Sequence, residues 1–189
     1  MLVEDFSLKM VGRIRIYERQ NPDVVLFDSK NVIVNTVKSL FARLMANSTE
    51  PEYGIWGLAI GSGDSGWGNT PPDGLPTQTS LLAETKRKQK SGTRFIDPIT
   101  LNPVTGFSEA VEIQTLFNAT NDNITSPVRE MGLIGGGTTI GTPTDMTIAP
   151  YWDPVAKNGN SVTLINYKTL PTLTLPAGVD LVFSWILQF

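Results

Sequence analysis

Apolar and polar positions alternate with a period of two along much of this chain, the signature of half-buried strands. In Val11-Gly-Arg-Ile-Arg-Ile-Tyr17, Ile14 and Ile16 alternate with Arg13 and Arg15. Gln20-Asn-Pro-Asp23 is turn chemistry and Val24-Val-Leu-Phe27 reads as the return strand, so residues 1–30 are expected to hold an N-terminal hairpin. Val111, Ile113, Thr115 and Phe117 share one face, with Glu112 and Gln114 on the other. Arg129-Glu-Met-Gly-Leu-Ile134, ended by three glycines, and the alternating residues 161–168 predict further strands. At the C-terminus, Leu181, Phe183, Trp185, Leu187 and Phe189 line one face. Each is worth roughly 1.5–3 kcal/mol if fully covered, so this segment is expected in the middle of the protein.

One stretch changes period. Asn31-Val-Ile-Val-Asn35 is β-branched and ends at an Asn suited to capping a helix. Val37, Leu40, Phe41, Leu44 and Met45 then follow helical spacing, with Lys38, Ser39 and Arg43 on the opposite face. Asn47 can end the helix and Pro51 follows it. The spacing predicts a short amphipathic α-helix over about residues 36–46, flanked by apolar strands at 31–35 and 55–60. Such a helix is marginal alone and must lie on something larger.

Between these elements the chain is rich in turn residues. Residues 61–78 form a long Gly/Pro loop, residues 79–84 read as a helical turn, and residues 86–95 as a basic strand with one wet face. A second long loop is expected at about residues 138–160. Eight or more short strands with one helix predict a mainly β protein, an antiparallel β-sandwich or jelly-roll-like single domain over residues 1–189.

Composition narrows the chemistry. The chain has 15 Lys and Arg against 18 Asp and Glu, a net charge of -3, so its overall field does not attract nucleic acid. Charged residues are 17% of the total, below the usual share of about 25%, which suits a surface partly covered by partners. Glu4 and Asp5 stand where a secretory signal would be basic then apolar, and no apolar run approaches the ~20 residues of a membrane helix. A product of the cytoplasm that does not contact membrane is therefore expected. The sequons at Asn47, Asn118 and Asn123 carry no weight without secretion. The chain contains no Cys and no His. It therefore lacks a thiolate, disulfides, the commonest metal ligand and the commonest base near neutral pH. No catalytic, cofactor or metal residues are expected.

Several short motifs fall to plainer explanations. Gly61-Ser-Gly-Asp-Ser-Gly66 matches a dinucleotide-binding pattern, but Trp67, Gly68 and Asn69, with Pro71 and Pro72 beyond them, follow where a helix must begin. Gly63-Asp-Ser-Gly66 has the form of a protease nucleophile segment, without the histidine that would activate Ser65. Glu50 with Glu52 and Glu109 with Glu112 are close in sequence only, and a glycosidase needs two carboxylates facing across a cleft. Asn121-Asp122-Asn123 lacks the ligand ladder of a calcium loop and reads as an Asx turn. Lys86, Arg87, Lys88, Lys90 and Arg94 suit a phosphate contact or, equally, a strand edge protected from aggregation. Trp67, Tyr151 and Trp152 are aromatics in expected loops, and interfaces favour such residues. They are the candidate partner contacts, with sugar stacking or local packing of the loops as the alternatives.

The order of features resembles a broad group of small structural proteins of tailed-bacteriophage virions, described as tail fibre, collar or neck, baseplate or minor structural proteins. The residues that carry the resemblance are Asn31-Val-Ile-Val-Asn35 with the helix after it, and Leu58-Ala-Ile-Gly-Ser-Gly63. They continue with Thr79, Leu82 and Glu84 ahead of Arg87, Glu130-Met-Gly-Leu133, and Trp185, Ile186 and Phe189 of the closing strand. The resemblance departs at residues 66–76 and 138–159. It implies a non-enzymatic virion component without cofactors that forms a homo-oligomer with other virion proteins on the neck, tail, baseplate or fibre attachment region. A capsid decoration protein or a host-glycan-binding module on the virion surface is the alternative.

Overall fold

A computed structural model describes residues 10–38, 54–122, 124, 127–135, 162–173 and 175–189. Its described residues form ten strands, all paired antiparallel: β1 (Val11–Glu18), β2 (Val25–Ile33), β3 (Ile55–Gly61), β4 (Glu84–Gln89), β5 (Gly92–Ile96), β6 (Ala110–Phe117), β7 (Val128–Gly135), β8 (Thr163–Leu164), β9 (Asn166–Leu173) and β10 (Leu181–Gln188). Their order across the sheet is β4-β3-β7-β9-β2-β1-β10-β6-β5, with β8 pairing β7. The expected mainly β, antiparallel class is what the protein adopts.

The sheet curls into two halves, β2-β1-β10-β6-β5 and β4-β3-β7-β9, joined on one side where β2 pairs two residues of β9. On the other side β4 runs straight into β5 through Lys90 and Ser91. The Lys90 N–H donates to Trp56 at the end of the β3 ladder (3.0 Å), and the next N–H, of Ser91, donates to Gln114 of β6 (2.7 Å). A bent strand that changes partners is how antiparallel sheets turn a corner. The basic strand expected at residues 86–95 is thus two short strands.

The main core lies between the halves. Ile14 and Ile16 of β1, Ile113 and Phe117 of β6, and Phe183 and Trp185 of β10 meet Leu58, Ile60, Met131 and Leu133 from the other half. β10 lies between β1 and β6 over its whole length, from Leu181 to Gln188. The tail is central, as its pattern predicts, although Phe189 itself is exposed.

Other expectations need correction. Val24–Phe27 and residues 31–35 are not separate strands, because residues 25–33 form the single strand β2. Residues 79–83 carry no helical turn. Their backbone is held by a side chain of β7, and Glu84 already belongs to β4. The chain is helical at residues 36–38, directly after Asn35. The rest of the expected helix, and the loop expected at 138–160, lie outside the described residues.

β3 and the Met131–Gly135 part of β7 are buried on both faces, which explains the apolar runs there. A second apolar layer of Ala59, Leu81, Ile134, Leu164 and Tyr167 lies on the far side from the main core. Leu81 comes from the segment before β4 that its sequence reads as a helical turn, and it covers part of the sheet. Two irregularities shape the β7 edge. Asn166 places its side-chain Oδ1 where a ladder carbonyl would be, accepting from the Leu133 N–H (2.8 Å). Pro171 of β9 cannot donate, and the register with β7 shifts beside it.

Candidate functional site

The loop from Ser62 to Ala83 is pinned along its length. The Asp64 side chain accepts from the Gly66 N–H (2.7 Å), closing an Asx turn. Trp67 folds back over Gly63, whose φ is +66°. A Cβ on Gly63 would lie 2.2 Å from Trp67 Cζ3. Arg129 of β7 places its guanidinium over the indole, 5.6 Å from the ring centroid, and donates to the Trp67 (3.0 Å) and Gly68 carbonyls. Further on, Thr169 Oγ1 donates to the Pro72 carbonyl (2.6 Å), Gly74 packs against the Tyr167 ring, and the Asn35 N–H donates to the Pro76 carbonyl (2.7 Å).

The last clamp is the strongest. Glu130 of β7 is wholly buried. Its carboxylate accepts from the Leu82 N–H (2.9 Å), the Ala83 N–H (2.7 Å) and the Tyr167 hydroxyl (2.7 Å). Burial, together with the hydrogen bond to Glu130 and its charge, pushes the Tyr167 phenol far above its ordinary range, so the hydroxyl stays a donor.

Trp67 is therefore half-buried and rigidly held, with one ring face under Arg129. Tyr151 and Trp152, its expected companions, lie outside the described residues. Replacing Gly63 with Ala is expected to displace the indole. A side chain in this backbone region costs about 1–2 kcal/mol before any clash. The melting temperature should fall by several degrees, with a change in tryptophan fluorescence. An unchanged spectrum and melt would show that Trp67 does not pack on Gly63.

The basic cluster is largely spent within the protein. Arg87, almost fully buried, pairs with Glu84 (2.5 Å), Lys88 with Asp122, and Arg94 with Glu112. Asp122 also accepts from the Asn118 N–H (2.5 Å), and Asn118 Oδ1 accepts from the Thr120 and Asn121 N–H groups. The Asx-type turn in this segment is made by Asn118, upstream of the expected Asn121-Asp122-Asn123, of which Asn123 lies outside the described residues.

A second feature lies on the outer face of the β2-β1-β10-β6-β5 half: a trough of about 610 Å³. Arg13, Arg15 and Tyr17 of β1, Asp28 of β2, and Glu112 and Gln114 of β6 face into it. Pro22, in the β1–β2 turn, and Leu101, in the β5–β6 loop, lie at opposite ends of the strands it crosses. Ser184 and Glu112 form a buried floor. Glu112 accepts from Ser184 Oγ (2.5 Å), Gln114 Nε2 (3.0 Å) and Arg94 Nε. Burial alone would raise its pKa, but these hydrogen bonds and the Arg94 charge hold it below the usual carboxylate range. Gln114 Nε2 also donates to the Tyr17 hydroxyl (3.2 Å). Burial and the Glu112 charge push the Tyr17 phenol upward.

Arg13 and Arg15 alternate with Ile14 and Ile16, and Glu112 and Gln114 with Ile113 and Thr115, which marks all four as facing away from the core. Their convergence needs β10 inserted between β1 and β6, a pairing across more than 160 residues of chain on one side. No residue spacing carries that signal.

Comparison with family models, with curated proteins and with solved structures finds no match to this chain.

Proposed function

We propose that this protein is a non-enzymatic structural component of a tailed-bacteriophage virion, assembled as a homo-oligomer on the neck, tail, baseplate or fibre attachment region. The observation that carries this reading is the pinned loop at residues 62–83. Binding costs less when the contact surface is already ordered, and a loop clamped by Arg129, Glu130, Tyr167 and Thr169 presents Trp67 with little entropy left to lose. The resemblance of residues 31–46, 58–63, 79–87, 130–133 and 185–189 to virion structural proteins supplies the particle. The carboxylates at the heart of the described structure, Glu84, Glu112 and Glu130, hold neighbouring groups in place, a structural use of charge.

Immunogold electron microscopy of particles from the source cells, with antibody raised against the recombinant chain, tests the reading. Gold confined to the neck, tail or baseplate is the expected result. Unlabelled particles alongside intact chain in the lysate would overturn it. Replacing Trp67, Tyr151 and Trp152 together by Ala is expected to leave a cooperative melt while incorporation falls at least about tenfold, as loss of aromatic interface anchors does. Wild-type incorporation of the triple variant would show that these anchors are wrong.

A further inference from the structure

We propose that the trough on the outer face of the β2-β1-β10-β6-β5 half is a binding site for one acidic sugar ring, a small ligand that carries a carboxylate and several hydroxyls together. The inference stands independently of the virion reading. At about 610 Å³ the trough falls within the ~300–1,000 Å³ of small-molecule sites, and the β1–β2 turn and the β5–β6 loop flank it, which favours a discrete ligand over a continuous strand or helix.

Its charges are unevenly satisfied. Arg13 donates through Nε and Nη2 to both oxygens of Asp28 (2.7 Å each). Arg94 pairs with Glu112. Arg15 stands apart: its guanidinium lies 5.5 Å from the Tyr17 ring centroid, and its hydrogen bond goes to the Pro22 carbonyl (3.3 Å). Among the described residues it has no carboxylate partner, so three arginines face two carboxylates and one positive charge is left over. A planar guanidinium with open N–H groups matches a carboxylate as a two-pronged donor.

The rest of the lining asks for hydroxyls. Each Asp28 oxygen accepts one hydrogen bond from Arg13, while a carboxylate oxygen accommodates about two. The Tyr17 hydroxyl accepts from Gln114 and keeps its own proton to donate. Leu101 and Ile186 supply apolar surface suited to the C–H face of a ring. A simple anion would satisfy Arg15 and leave the acceptors facing nothing. A neutral sugar would satisfy the acceptors and leave Arg15 without a counter-charge.

The test is isothermal titration of the full chain with glucuronate, glucose, acetate and inorganic phosphate at low ionic strength. Glucuronate should bind saturably at one site, at least tenfold more tightly than glucose, acetate or phosphate. Arg15→Met, which keeps the stem over Tyr17 and removes the charge, should weaken glucuronate at least tenfold with an unchanged melt. Absence of saturable glucuronate binding would overturn the proposal, as would acetate or phosphate binding equally well, or an Arg15→Met protein that binds like wild type. If Arg15→Met fails to melt cooperatively, Arg15→Lys takes its place. It retains the charge without the two-pronged donor, and glucuronate affinity must still fall severalfold.

Discussion

Deleting Trp185 to Phe189 is expected to leave the chain in the insoluble fraction. The deletion removes half of β10, and with it the pairing of Val11 to Ile14 on one side and of Ala110 to Ile113 on the other. Trp185 and Leu187 are at most 1% exposed and belong to the main core. Truncating a buried Trp to Ala alone costs about 3–5 kcal/mol, against a total stability of about 5–15 kcal/mol for a typical domain. Losing that side chain, Leu187 and two half-ladders together exceeds what the fold can absorb. Two newly unpaired edges, on β1 and β6, would then be open to other chains. The measurement is the soluble fraction after expression, followed by a thermal melt. Soluble, cooperatively melting truncated protein would show that β10 is peripheral. The point substitution Trp185→Ala should remain folded at low temperature and melt well below wild type.

What the sequence made legible follows from the physics of each element. A strand with one dry face advertises itself by alternation, so β1 and β6 are readable from Ile14 and Ile16, and from Ile113 and Phe117. A strand buried on both faces does not alternate, and β3 and the second half of β7 are recognisable only as apolar runs whose second face needs a cover. That cover is the loop at residues 62–83, and its composition conceals the role. Glycines and prolines are read as solvent-loving turns, whereas here Gly74 permits the chain to pass against the Tyr167 ring and Pro72 offers its carbonyl to Thr169. The partners that hold it, Arg129, Glu130, Tyr167 and Thr169, come from strands up to about a hundred residues away. Local patterns also treat charge as solvated, and so the basic residues of β4 and β5 read as a wet edge although Arg87 is 2% exposed. Trp67 is the one candidate contact among the described residues, and its indole is committed on one face to Arg129. The trough needed β10 between β1 and β6 before its arginines and carboxylates could meet.

Replacing Glu130 with Ala is expected to release the loop and lower the stability of the whole sheet. The carboxylate is completely buried and its three acceptor contacts go to the Leu82 N–H, the Ala83 N–H and the Tyr167 hydroxyl. Hydrogen bonds to a charged group contribute about 1.5–3 kcal/mol each, and donors left buried without partners cost about 1–3 kcal/mol each. These contributions are not additive, and losing the burial cost of the charge offsets part of them. A net loss of about 3–4 kcal/mol is therefore expected, equivalent to about 6–16 °C in melting temperature for a chain of this size. Tyr167→Phe removes one of the three donors and keeps the ring against Gly74, so it should cost about 1–2 kcal/mol. The ordering carries the argument: Glu130→Ala must exceed Tyr167→Phe by at least about 1 kcal/mol, because the two backbone donors of the loop depend on Glu130 alone among the side chains hydrogen-bonded to them. Hydrogen exchange gives the local reading. In Glu130→Ala the Leu82 and Ala83 amides should exchange far faster than in wild type, while exchange at the Phe183 and Trp185 amides quickens only in proportion to the loss of global stability. Equal protection of Leu82 and Ala83 in both proteins would mean that the loop is held by its apolar contact at Leu81, with the carboxylate a passenger.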